Sequence, residues 1–245
     1  MTNLLTAKPL VIDFETSGKD PEKDRAIEVA AIVLDGDKCH QYSSLINPGI
    51  PISPEASAIH HLIDSDVADA RPWSAVKADL LSQEFDLFVA HYADFDMKFF
   101  AHDGGPVEGK PVLCTWRMAK KLVADVPSYS NMALHYRLGL PGRPTESHRA
   151  TADAVVTCGL YKHLLALAVA KAKDPSYIDM DQFISWINSP MMETTVKFGK
   201  HFGKTWVDVV QTDRSYVEWV LNKSDVASNN PDVRFTIETL LKKGA

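Results

Sequence analysis

Residues 9–46 read PLVIDFETSGKDPEKDRAIEVAAIVLDGDKCHQYSSLI, and the alternation of apolar runs and turn residues in this stretch decides the fold. Pro9 to Glu15 is a short apolar run that ends in acids and predicts a strand. Ala26 to Leu34 predicts a second strand. Asp35-Gly36 is a hairpin turn signal, and Gln41 to Ile46 returns as a third. Three early strands joined by short turns predict an antiparallel meander.

Beyond it the pattern changes. Ser53-Pro54-Glu55 starts a helix, with Ser as N-cap and Pro at the first helical position. Helices are expected over Pro72–Leu81, Phe95–Ala101, Thr115–Val123 and Ser130–Leu138, the last ended by Gly139. Strands are expected at Asp86–Ala90 and Pro111–Cys114. A long helix runs from about Ala150 to Ala170, where Ala154, Cys158, Tyr161, Leu165 and Ala168 share one face. Strands alternating with helices after a meander make an α/β fold, a mixed sheet flanked by helices. The polar run Lys171–Pro175 marks a boundary. The expected organisation is a catalytic-type domain over 1–172, a linker with a short helix (Met180–Asn188) over 173–190, and a small C-terminal module over 191–245.

Composition sets outer limits. The 245 residues are 45% hydrophobic and 24% charged, the mix of an ordinary globular chain with a real core. The longest uninterrupted apolar run, Leu164–Ala170, is far short of the ~20 residues of a spanning helix, so no membrane partner is expected. The N-terminal MTNLLTAKP lacks a basic stretch followed by an apolar region, and no signal peptide is expected. Three cysteines (Cys39, Cys114, Cys158) without CxxC spacing fit a reducing cytoplasm. The net charge of −6 is uneven: residues 1–190 carry 18 Lys/Arg against 25 Asp/Glu, and residues 191–245 carry 8 against 7. An acidic total argues weakly against nucleic acid, but it also arises from carboxylates gathered to hold cations.

Several acids fit the second case. Asp13 and Glu15, two apart on a strand, point to one face, and paired carboxylates there repel unless a cation sits between them. After the Asp86–Ala90 strand, Asp94 and Asp96 are both candidates, and position alone does not separate them. Asp153 lies early in the long helix, near its apolar face. His148 precedes that helix, after a loop containing Gly142 and Pro144 that lets it move. Four acids from the ends of a strand and two helices, with one loop histidine, form the kit of a two-metal phosphodiester hydrolase. Mg²⁺ prefers oxygen ligands, two ions ~4 Å apart stabilise the attacking and leaving oxygens together, and histidine suits proton abstraction from water.

Asp13-Phe14-Glu15-Thr16-Ser17-Gly18, the segment His91 to Asp96, and His148-x-Ala150-x-x-Asp153 resemble, in order and spacing, the three motifs of the DEDDh family of 3′→5′ exonucleases. Ile52–Ala56 and Ala58-Ile59-His60 resemble the family's helix start near the substrate cleft. The likeness continues through Tyr129–Leu134 and into Phe198-Gly199-Lys200…Gly203-Lys204. It implies a ribonuclease H-like fold. It also implies Asp13, Glu15, Asp96 and Asp153 as ligands of two Mg²⁺ ions, with Mn²⁺ able to substitute, and His148 as general base. Thr16, Phe14, His60, His91 and Tyr92 are then candidate substrate contacts. Tyr92 stands where the family often has Asn, which puts the contacts to the penultimate phosphate or sugar in doubt. The implied partner is DNA with a 3′ end. RNA ends suit the same chemistry, and only contacts to the 2′-hydroxyl separate the two. A non-catalytic binding protein is the reading from another class; the complete set of acids and His148 speaks against it.

In the C-terminal module, Lys197, Lys200 and Lys204 lie beside Phe198, Phe202 and Trp206. Lys200 and Lys204 are candidate phosphate contacts, with bases stacking on the rings. The competing reading makes Phe198, Phe202, Trp206, Trp219 and Leu221 the core of a small domain and the lysines its rim. Gly199 and Gly203 are too close for a phosphate-binding loop, which needs four residues between its glycines.

Overall fold

The computed structural model of the chain describes residues 2–102, 109–123, 126–142 and 148–244. They form two compact units, 1–187 and 188–245. The first is built on strands β1 (Pro9–Thr16), β2 (Ala26–Asp35), β3 (Lys38–Asn47), β4 (Arg71–Pro72), β5 (Leu87–Ala90) and β6 (Val112–Cys114), in the spatial order β4-β3-β2-β1-β5-β6. β1, β2 and β3 form the antiparallel meander, while β5 pairs parallel with both β1 and β6. The β2–β3 turn closes between Asp35 and Lys38, with Gly36 at φ 59°.

Among the described residues, eight helices accompany these strands: α1 (Pro54–His60), α2 (Asp64–Val67), α3 (Trp73–Leu81), α4 (Ala93–Phe100), α5 (Thr115–Leu122), α6 (Asn131–Arg137), α7 (Ala150–Lys171) and α8 (Met180–Asn188). Ser53 caps α1 by accepting the Ala56 N–H at 3.2 Å, with Pro54 at its first position. The central strands are buried on both faces, as near-continuous apolar runs require. Leu10, Ile12 and Phe14 join a core with Trp73, Val76, Leu80 and Phe100. Val11 joins the opposite core with Ala150, Ala154, Cys158, Tyr161 and Leu164 of α7. The side chains of Asp13 and Glu15 continue the Val11 row and point to the α7 side. α7 is long and apolar enough, by length and composition, to cross a membrane; in this fold its apolar face is the cover of the sheet.

The segment expected as a linker falls mainly with the first unit. Met180, Phe183 and Ile187 are spaced along one face of α8 and buried in the α7-side core. The Leu4 N–H donates to the Ile178 carbonyl at 2.8 Å, tying the N-terminal residues to the same segment.

The second unit is helical: α9 (Trp206–Thr212), α10 (Arg214–Asn222), α11 (Val226–Asn229) and α12 (Pro231–Lys242). Val196, Trp206, Val209, Tyr216, Val217, Val220, Ile237 and Leu240 make its core. The aromatics divide between the two readings of the sequence. Trp206 is core, Phe198 packs partly buried against it, and Phe202 and Trp219 are exposed.

Candidate active site

A cleft of about 860 Å³ opens at the end of β1 where the acids gather. Asp13, Glu15, His91, Tyr92, Asp96, Asn131, His148 and Asp153 are among its lining residues. Three elements bring the acids there. β1 supplies Asp13 and Glu15. The tight turn after β5, with Tyr92 in the left-handed region (φ 60°, ψ 46°), starts α4 and aims Asp96 inward. The start of α7 supplies Asp153.

Asp13, Glu15 and Asp153 can each place a carboxylate oxygen within 4.8 Å of the others. Asp96 is 3% exposed and accepts the Phe14 N–H at 3.3 Å, which holds it against β1. Asp94 is exposed and lies outside the cleft lining, so burial makes the distinction that position could not. Burial raises the Asp13 carboxyl well above its usual range, and the charges of Asp96, Asp153 and Glu15 add to the effect. Glu15 is pushed up to about 8, first by burial and then by Asp153 and Glu28. Burial also raises Asp96 and Asp153. Such a cluster holds protons it would shed in water, or it holds a cation. Its donors are all hard oxygens, which suits Mg²⁺ or Mn²⁺.

His148 sits at the cleft rim, its backbone in the left-handed region at φ 62°. Its backbone N–H donates to Asp153 Oδ2 at 3.0 Å, so the histidine and a cluster acid are tied together across the start of α7. Residues 143–147 of the preceding loop, Pro144 among them, lie outside the described residues.

The other candidates separate. His91 lines the cleft, but Thr115 Oγ1 (2.9 Å) and the Tyr129 carbonyl (3.0 Å) engage both its ring nitrogens, and burial lowers it to about 4. It is a neutral strut. Phe14 lines the cleft while its ring packs edge-on against Trp73 at 5.4 Å. The Thr16 hydroxyl donates to the Gly18 carbonyl at 2.6 Å, and Thr16 does not line the cleft. His60 is buried outside the lining, its Nδ1 accepting the Leu62 N–H at 3.1 Å. Lys200 and Lys204 belong to the second unit.

Two groups carry no assigned role in the sequence reading, Asn131 within the resembling stretch Tyr129–Leu134 and Glu28. Asn131 lines the cleft and donates to the Asp153 carbonyl (3.2 Å) and Thr157 Oγ1 (2.8 Å), steadying the start of α7. Glu28 is buried in β2 and grips Arg149 and the Ala150 N–H. A lone acid inside the apolar run AIEVAAIVL was its signal.

Comparison with known proteins agrees with this geometry. The model of the Exonuclease family RNase_T matches residues 10–161. The chain is 31% identical over 238 residues to Exodeoxyribonuclease 10 of Escherichia coli (strain K12), covering 95% of this chain and 98% of that one. The sequence motifs by themselves point to the same relative, bacterial exodeoxyribonuclease X. DNA polymerase III PolC-type of Thermotoga petrophila is 34% identical over 158 residues, 62% of this chain and 11% of its own length. Among solved structures, Exonuclease X in complex with 5′ overhanging duplex DNA aligns with a TM-score of 0.56 and 29% identity, over 64% of this chain and 91% of that one. E. coli Exonuclease I with a dT13 oligonucleotide shares the fold, with a TM-score of 0.53 at 17% identity over 65% of this chain and 41% of that one.

Proposed function

The chain belongs to the Exonuclease family, and from that premise we propose that it is a 3′→5′ exodeoxyribonuclease that releases nucleoside 5′-monophosphates. The observation that carries the reading is the convergence of Asp13, Glu15, Asp96 and Asp153 in one cleft with His148 at its rim. Asp13, Glu15 and Asp153 would hold a divalent cation, and Asp96 completes the set for a second. When bound, two such ions stabilise the attacking and leaving oxygens of the phosphodiester.

His148 takes the proton from the attacking water. The water oxygen bonds to the terminal phosphorus, and the bond from that phosphorus to the 3′ oxygen of the preceding nucleotide breaks. The mononucleotide leaves with its 5′-phosphate, and the shortened strand regains a 3′-hydroxyl after taking up a proton. Asp153, through its bond to the His148 N–H, orients the base as well as serving the cluster. Asn131 and His91 position rather than react. The second unit helps to hold the strand through Lys200 and Lys204.

The test uses 5′-labelled DNA and RNA of matched sequence, single- and double-stranded, with Mg²⁺ or Mn²⁺. A descending ladder on DNA, 5′-mononucleotides as product and silence in EDTA are expected. Full activity in EDTA, or cleavage inside the strand, sinks the reading.

A further inference from the structure

Tyr92 is a bulky residue in the left-handed region, a conformation that costs energy and persists only where the surroundings impose it. The surroundings here are aromatic. Its ring stacks on Trp116 of α5, with centroids 5.1 Å apart and planes 29° from parallel. The His91 ring stands perpendicular to it, with centroids 5.1 Å apart and planes at 86°, and both nitrogens of that histidine are already fixed. One turn along α5, Lys120 Nζ lies 5.4 Å from the Trp116 ring and 5.0 Å from the Tyr129 ring. Despite this support Tyr92 remains 50% exposed, and it lines the same cleft as the four acids.

A flat ring, braced from behind and open in front beside a phosphodiester-cleaving centre, matches one kind of ligand group. A nucleobase offers a π-face whatever its identity. The Asn often found at this position in the family has no ring to offer. We propose that Tyr92, backed by Trp116 and Lys120, is a stacking subsite for an unpaired nucleobase within the last few nucleotides of the substrate strand. The inference rests on the exonuclease reading above.

Single-stranded DNA carrying one abasic nucleotide, moved stepwise inward from the 3′ end, tests it with the full chain and Mg²⁺. In the wild type, one position should show a kcat/KM lower by roughly 5- to 150-fold, the range of one base–aromatic stack. Tyr92→Asn keeps a residue that tolerates the left-handed backbone. On intact DNA it should lose a similar factor, mainly through KM, and it should lose nothing further at the abasic position. Tyr92→Phe should restore both rate and base dependence. Trp116→Leu should weaken base dependence while Tyr92 is still present. An abasic penalty equal in wild type and Tyr92→Asn, or absent at every position, overturns the subsite. A wild type that leaves intact DNA undegraded overturns the exonuclease reading instead.

Discussion

Glu28 and Arg149 close a two-point ion pair across 121 positions of sequence, with Nη2–Oε1 at 2.7 Å and Nε–Oε2 at 3.1 Å. Glu28 Oε2 also accepts the Ala150 N–H at 3.1 Å, so a β2 side chain holds the first turn of α7. Glu28 stands directly opposite Glu15 in the β1–β2 register. Two acids at that distance repel, and the Arg149 guanidinium offsets part of the repulsion, lowering Glu15 against the other influences on it. The pair thus joins the sheet to the helix that carries Asp153 and stands next to His148.

Arg149→Met should therefore destabilise the protein. Stripping the partner from a fully buried ion pair costs about 3–5 kcal/mol. The Arg149 side chain is 38% exposed, so water replaces part of the loss, and about 1–3 kcal/mol is expected. Adding Glu28→Leu removes the stranded charge and should recover part of the stability. Urea midpoints of the three proteins give the comparison; a double variant weaker than Arg149→Met by the full cost of a second mutation refutes the pairing argument.

Without metal, stability should fall as pH rises. Glu15 titrates near 4.5 in an unfolded chain and near 8 in the native cluster. Between those values the native state keeps a proton that the unfolded chain has shed, so rising pH favours unfolding. Asp13, Asp96 and Asp153 are raised in the same direction. A divalent cation held by this cluster would prefer its ionised form, so its stabilisation should grow over the same window. Melting curves in EDTA and in Mg²⁺, at about pH 5 and about pH 8, should show a Mg²⁺ gain several-fold larger at the higher pH. An equal gain at both refutes it.

Asp13→Asn separates catalysis from folding. It should abolish hydrolysis and cancel most of the Mg²⁺-induced rise in melting temperature. In EDTA near pH 8 it should melt above the wild type, because one repelling acid is gone. Asp153→Ala should also abolish hydrolysis, but with a smaller gain in EDTA, since it loses the bond to the His148 N–H. A metal-free Asp13→Asn protein less stable than wild type near pH 8 contradicts the repulsion.

Much of this site is legible in the chain because it depends on local periodicity. The i, i+2 spacing puts Asp13 and Glu15 on one face, and the turn signals at Asp35-Gly36 and Ser53-Pro54 mark real element ends. Periodicity in a short helix does not separate Asp96 from Asp94; the motif resemblance names Asp96, and Asp96 is the buried one of the two. The Glu28–Arg149 pair joins residues far apart in sequence, and only the fold makes them neighbours. Thr16 and His60 lie outside the cleft lining, a tertiary fact too, with the Thr16 hydroxyl and one His60 ring nitrogen bonded to nearby backbone. The α8 face was readable as a helix, but the polar run before it hid that Ile187 reaches the core.

His148→Ala should lower kcat by about 10²–10⁴-fold, the usual worth of general-base help. The bond from its backbone N–H to Asp153 survives the substitution, so the Mg²⁺-dependent gain in melting temperature should persist. Single-turnover rates and melting curves on the same preparation test both halves. A rate within a few-fold of wild type assigns proton removal elsewhere.

The second unit presents its own test of strand binding. Phe202 is 74% exposed at the tip of a turn bounded by Gly199 at φ 63° and Gly203 at φ 83°. The first glycine is enforced twice, by the left-handed backbone and by Tyr216 Oη, which would lie 2.7 Å from any added Cβ. Lys200 pairs with Asp213 at 2.7 Å and lies 5.3 Å from the Tyr216 ring, while Lys204 is exposed. A phosphate must compete with Asp213 for Lys200, so Lys204 should supply the larger share of any contact. Lys200→Ala with Lys204→Ala should weaken single-stranded DNA binding and reduce the slope of log K against log salt by about 0.7 for each lost phosphate contact. Phe202→Ala should weaken binding with the slope unchanged, since stacking releases no counterion. Fluorescence titrations over a range of salt, with Ca²⁺ in place of Mg²⁺ to spare the DNA, separate the two effects. Wild-type affinity and slope in both variants would make the lysines a solvated rim and leave strand binding to the first unit.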